Sequence, residues 1–366
     1  MTGPAGSSSE SRGAEVPAPL PTLVNARISR RRPGAPLTGW LSLAVALAVV
    51  AATANDTVLR TATTVAMFAI AAHGLNVLFG YCRVISLGAS AFVGVGAYAC
   101  AYLSAQQGVP FVLAVVLAMV CSAVLGLVIA PIAARLKDFY LGLATLGLVF
   151  VMQYVFTNWV SVTGGISGAQ PGPREIGGLS LDNPLRYFVF TAVALLLVTA
   201  VTTNLSRSRS GRAMRVLANS PTTARVLGVS PARYRTYAFV YSSALAGLTG
   251  ALLAGHQGYV GYEQFGLTIS VQLIAAVVIG GLGSSLGAVV GTAIVYGISE
   301  IILAFGAYLP LVSASGTGDG LAPSAAADLV YGLLLIVVLT FEPQGLVGLV
   351  RRFSRPVSRA RSRAVS

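Results

Sequence analysis

Long apolar runs recur from one end of this chain to the other, at roughly 37–54, 58–79, 87–106, 109–134, 139–159, 185–205, 233–256, 267–283, 286–306 and 326–342. A helix needs about 20 mainly apolar residues to cross the hydrocarbon core of a bilayer. Runs of that length, repeated this often, leave little choice of fold class. The expectation is an all-α polytopic membrane helix bundle of about ten transmembrane helices (8–10). Composition agrees: 55% of the residues are hydrophobic and 10% are charged, against about 25% charged in soluble domains. Residues 1–36, rich in Pro, Ser, Gly and Ala, read as a disordered tail. Residues 37–350 form the membrane domain, and 351–366 a basic tail. The AATAND sequence ending the first run resembles a signal-peptidase site, but the run is longer than a usual signal-peptide core of about 7–15 residues.

Basic residues orient the spans. With the N-terminal tail in the cytoplasm and ten crossings, both termini lie on one side. Of the 24 Lys and Arg residues, only Arg60, Arg174 and Arg186 then fall outside. The rest occupy the two tails, the turns at 80–86 and 135–138, and the region 206–235, as the positive-inside bias requires. This implies a multi-pass protein of the cell (inner) membrane. The run 87–106 holds Gly88, Gly94 and Gly96 and could be re-entrant, but that would flip the basic region outward. It is therefore read as a true, bent crossing.

The segment GRAMRVLANSPTTARVLGVSPARYR, Gly211 to Arg235, carries five arginines and no acid. Ser220-Pro221 offers an N-cap followed by Pro at the first helical position. Gly228 offers a left-handed C-cap, and Ser230-Pro231 launches the next span. A short helix thus sits inside a cytoplasmic loop, 206–232. It can be a docking helix for a cytoplasmic partner or a basic loop resting on membrane lipid headgroups. Nucleic-acid binding is discouraged, because no free soluble domain accompanies it.

The same segment, with the span after it, resembles the cytoplasmic coupling loop of ABC-importer permeases for branched-chain amino acids, LivM type. GLNVLFGYCRVISLGASAFVGVGAY (74–98), NWVSVTGGISG (158–168), VVIGGLGSSLGAVVGTAIV (277–295) and FEPQGLVG (341–348) resemble further motifs of that family, in the same order. The resemblance covers about residues 58–350. It implies an ABC importer permease fold and transport of Leu, Ile or Val. It also implies a second homologous permease, two ABC ATPase subunits that carry ATP-Mg, and an extracytoplasmic solute-binding protein docking on the external loops 157–184 and 306–325. The coupling loop would then meet the ATPases through Gly211, Arg212, Arg215, Pro221, Arg225 and Gly228. Departures are visible: where the family usually shows glycine, glutamine and histidine, this chain has Arg83, Val84 and Ala89. In the external loop Ile166 and Ser167 replace a more common Ser-Asp, and acids usual in the coupling helix are missing around Asn219 and Ser220. Urea, short amides or other amino acids remain open as substrates.

Catalytic signals are absent from the sequence. There is no G-x-x-x-x-G-K-[ST] phosphate loop, so no cofactor is expected in this chain, and ATP hydrolysis is expected in partners. Cys82, Cys100 and Cys121 form no CxxC pair, and His73 and His256 lie on different spans, so no metal site is expected. Polar residues inside the runs are the pathway candidates: His73, Asn76, Thr145, Gln153 and Glu300. His73 and Asn76, three apart, should share a helix face. An ion-coupled carrier, the alternative class, would need His73 and Glu300 as relay groups. Gly88, Gly94, Gly96, Gly280, Gly281, Gly283, Gly287 and Gly291 are read as helix-packing positions. The tetrapeptide SLGA, at 86–89 and 285–288, hints at two related halves.

Overall fold

The computed structural model describes residues 35–136 and 138–305, together with 329, 332 and 333. The N-terminal tail up to residue 34, the C-terminal tail, the motif 341–348, the external loop 306–325 and most of the tenth expected span therefore lie outside the described residues. The elements run α1 (Ala35–Thr53), α2 (Asp56–Asn76), α3 (Ala89–Ala105), α4 (Phe111–Arg135), α5 (Asp138–Asn158) and the one-turn α6 (Val160–Thr163). A small hairpin follows, β1 (Glu175–Ile176) paired antiparallel with β2 (Leu179–Ser180). Then come α7 (Pro184–Arg207), α8 (Arg209–Asn219), α9 (Pro221–Val226), α10 (Pro231–Gln257), α11 (Leu267–Gly280) and α12 (Ser285–Phe305). Nine of the ten expected spans coincide with α1–α5, α7 and α10–α12. Among the described residues, five helices are long and apolar enough to cross a membrane by length and composition: α2 with its extension to Tyr81, α4, α5, α7 and α10.

Burial sorts these five. The apolar windows of α2 and α10 are 83% and 78% buried, against 28%, 28% and 39% for α4, α5 and α7. Thus α2 and α10 form the centre, and the others turn an apolar face outward. On α4 that face includes Val116, Val120, Val124 and Val128, spaced every fourth residue and exposed. Such a stripe is tolerable only in contact with lipid or another apolar surface.

Glycine decides how close the centre packs. A Cβ at Gly96 would overlap the Gly247 carbonyl, and one at Gly250 would overlap the Val93 carbonyl, so α3 and α10 touch backbone to backbone. Ser122 of α4 donates to the Phe92 carbonyl at 3.0 Å and fills the space beside Gly247. In the same way Gly280 and Gly291 bring α11 and α12 together. Small residues allow this approach where larger ones would hold the helices apart. Two of the expected packing glycines do something else. Gly281 and Gly283 lie beyond the end of α11, in the turn to α12, with φ of 106° and 77°. They supply a left-handed backbone to a turn, so the expected stripe Gly283–Gly287–Gly291 begins only at Gly287.

The crossing read at 87–106 is broken. After α2 the chain makes a π-helical segment, Val77–Tyr81, and then runs without helix from 83 to 88. Leu87 N–H donates to Thr145 Oγ1 at 2.9 Å, near the middle of α5. Thus α3 starts partway along α5, and a stretch of non-helical chain precedes it. α11 begins at the same level, because Ser270 meets Ser90. Its 14 residues span only about 21 Å at 1.5 Å per residue.

Candidate functional site: the basic face of the bundle

One end of the bundle gathers Arg83, α8, α9, the start of α10 and the α11–α12 turn. α7 ends at Arg207, where Ser208 donates to the Leu205 carbonyl at 2.7 Å and accepts from Gly211 N–H at 3.2 Å. This hydroxyl stops one helix and caps the next. A Cβ at Gly211 would overlap the Leu205 carbonyl, so only glycine permits the sharp join. α8 buries Gly211, Met214 and Leu217 on one face and exposes Arg209 and Arg212.

α9 follows after one residue. Ser220 Oγ accepts from Thr223 N–H at 3.2 Å, and Pro221 takes the first helical position, whose N–H has no partner in any helix. The helix stops at Gly228, φ 75°, with Val229 N–H returning to the Ala224 carbonyl at 2.9 Å. That is the Schellman pattern. α9 buries Ala224, and Arg225, Val226 and the C-cap residue Leu227 point outward. Val226, 83% exposed, is the most exposed large apolar side chain among the described residues. Sequence reasoning named the arginines and missed Val226 and Leu227, whose exposure follows from the single-turn length of α9.

Arg212 and Arg225 face outward, whereas the half-buried Arg215 folds back. Its Nε donates to the Gly211 carbonyl at 3.3 Å, and its Nη2 to the Ser206 carbonyl. Its guanidinium lies over the ring of Tyr81, 5.7 Å from the centroid. Burying Met214 and Leu217 against the bundle carries the neighbouring Arg215 to the protein side.

Behind this surface, Asn76 accepts from Gly283 N–H at 2.7 Å and donates to the Ser284 carbonyl at 2.9 Å. Both ends of its amide hold one turn. The profile of the family described as "Branched-chain amino acid transport system / permease component" matches residues 57–339. The chain belongs to this family. It is 30% identical over 314 residues to the high-affinity branched-chain amino acid transport system permease protein LivM of Salmonella typhimurium, and equally to that of Escherichia coli. Those alignments cover 79% of this chain and 70% of each relative. It is 27% identical to the probable permease protein LivH of Methanocaldococcus jannaschii, over 77% of this chain and 89% of the relative. No solved structure matches.

Within this multi-pass permease the polar candidates part company. His73 and Asn76 hydrogen-bond to different elements. His73 is buried between α2 and α7, with Nδ1 2.8 Å from the Ala69 carbonyl and Nε2 3.2 Å from Thr199 Oγ1. The carbonyl can only accept, so the ring proton sits on Nδ1. Thr145 anchors the non-helical segment before α3 through Leu87. Gln153 lies half-buried near Gly266, before α11. Glu300 belongs to α12 by its backbone, and its side chain lies outside the described residues. Gly88 caps α3 against Thr145, and Gly94 makes room for the rings of Phe156 and Phe265. Among the described residues no three His, Cys, Asp or Glu side chains group as metal ligands.

The opposite face collects the three arginines that the charge count left over. Arg60 and Arg174 line a shallow pocket with Asp182, Tyr187 and His256. Arg174 bridges the α10 end and the hairpin, donating to the Gly255 carbonyl at 2.6 Å and to Asp182 at 2.9 Å. Arg186 donates to the Ser180 carbonyl at 3.1 Å. The loop after α6 is tied to the end of α10 by the Ala169–Val260 bridge.

Proposed function

We propose that this permease is the translocating subunit of an ATP-driven importer for leucine, isoleucine or valine, with its basic face in the cytoplasm. The observation that carries the reading is α9: a capped helix of six residues that offers a cation and two bare apolar side chains away from the bundle. A cation beside exposed Val226 and Leu227 suits a protein partner better than water, since exposed apolar groups cluster at interfaces. Two ATPase subunits holding ATP-Mg would dock there, each against one permease of a homologous pair. A solute-binding protein would deliver substrate to the opposite face, over the hairpin and the loop after α6. The neutral, largely apolar interior suits an uncharged side chain. This chain itself would hold no cofactor and perform no catalysis.

The reading is tested by co-purifying the permease with the ATPase subunits encoded beside it, then measuring ATP-dependent uptake of labelled leucine into proteoliposomes. Arg212→Glu with Arg225→Glu is expected to abolish ATPase retention and leave membrane insertion intact. Unchanged retention refutes the docking surface. Uptake blocked by excess urea or a short amide, and not by isoleucine or valine, reassigns the substrate.

A further inference from the structure

We propose that Tyr81 is the positioning residue through which the coupling segment holds the α11–α12 hairpin. The inference rests on the reading that α8 and α9 receive an ATPase partner. It goes beyond that reading by naming the side chain that passes the movement inward.

Tyr81 ends the π-helical segment and is 4% exposed. On one side its ring carries the Arg215 guanidinium. That guanidinium is fixed by the carbonyls of Ser206, in the last turn of α7, and Gly211, in the first turn of α8. Its position therefore reports the angle between the two helices. On the other side the Tyr81 hydroxyl reaches the Gly283 carbonyl at 3.5 Å. Gly283 is gripped by the same short stretch of chain at two more points. Asn76 accepts its N–H, and Gly80 packs so tightly that a Cβ there would overlap the Gly283 backbone. The end of α2 and the α11–α12 turn must therefore move together, and Arg215 ties α8 to that unit.

The stretch is built to move. A π-helical turn holds an extra residue and has looser hydrogen bonding than α-helix, and such turns recur at functional sites. Arg83, two residues on, has φ 51° and is the one non-glycine at positive φ among the described residues. A shallow pocket lined by Leu75, Leu78, Ser86, Ala89 and Phe92 among others lies beside the stretch. A ring face tolerates sliding of the cation above it better than an ion pair would, because the attraction spreads over the π-system.

The test reads the turn directly and needs no transport substrate. Leu282 is exposed in that turn, while Cys82 and Cys100 are buried and Cys121 is exposed. Leu282→Cys in a Cys121→Ser background is labelled with an environment-sensitive maleimide fluorophore and assembled with the ATPase subunits. Adding Mg-ATP is expected to change the emission. Tyr81→Leu is expected to lose that change with the ATPases still bound, Arg215→Gln to reproduce the loss, and Tyr81→Phe to keep most of it. A response in Tyr81→Leu equal to the parent's overturns the proposal, as does a parent that gives no response. If Tyr81→Leu does not assemble, Arg215→Gln, which leaves the ring in place, decides. ATPases that fail to bind the parent overturn the docking reading itself, and this inference with it.

Discussion

Ser90 and Ser270, 180 positions apart, meet hydroxyl to hydroxyl at 2.9 Å, and the Ser90 N–H donates to the same Ser270 oxygen at 2.9 Å. The first N–H groups of a helix have no partner within it. Ser270 therefore caps α3 from another helix, and both α3 and α11 begin at this contact.

Ser270→Ala removes that acceptor and strands a fully buried N–H. The expected loss is about 1–3 kcal/mol, read as a lower unfolding midpoint of the detergent-purified protein. Ser270→Thr retains the oxygen and should recover part of it. An alanine variant that melts with the parent refutes the capping role.

Gly96→Ala pushes a methyl group into the Gly247 carbonyl. Neither partner is a flexible side chain, so α3 and α10 must separate, at about 1–3 kcal/mol. Gly142→Ala is the control. It lies in α5 with nothing within 4 Å of a new Cβ, and should be neutral or stabilising by about 0.5–1 kcal/mol. Equal melting shifts for the two variants contradict the backbone contact.

Arg83 occupies a conformation that glycine adopts freely. Arg83→Gly should stabilise the fold by up to about 1 kcal/mol, the left-handed penalty of an L-residue less the glycine entropy. Arg83→Val, β-branched, should destabilise it. Melting midpoints ordered Gly above Arg above Val are the expected result.

On the face opposite α9, the Asp182 carboxyl is held below its ordinary value of 3.8, first by the Ser180 hydroxyl and then by Arg174. A lowered folded value means that the contribution is present above the ordinary value and fades as pH falls through the folded one. Exposure to water keeps it small. The protection of the Leu181 amide, which donates to the Arg174 carbonyl, against its intrinsic exchange rate should fall below about pH 4. Asp182→Asn should lower that protection at neutral pH and remove its pH dependence.

Much of this could be read from residues alone. Run length placed nine helices, and the caps at Ser220, Pro221 and Gly228 bounded α9 to within a residue, because both signals are local. The break before α3 was hidden. Residues 83–88 carry no turn chemistry strong enough to announce it, and the group that satisfies the non-helical backbone, Thr145, is 58 positions away from Leu87. α8 was merged into its loop because its three buried positions, Gly211, Met214 and Leu217, are spread among arginines. His73 and Asn76 have helical spacing, but partners on α7 and the α11–α12 turn divide them. Arg215 looked like its neighbours in charge and differs only in where the helix face points.

The glycine contacts between α3 and α10 have a mechanical consequence. Helices that touch through their main chains cannot part by rotating side chains, so these two form a stiff keel, against which α4 is held through Ser122. Any opening toward either side of the membrane must then come from rearrangement around that keel, at α5, α7 and the α11–α12 pair.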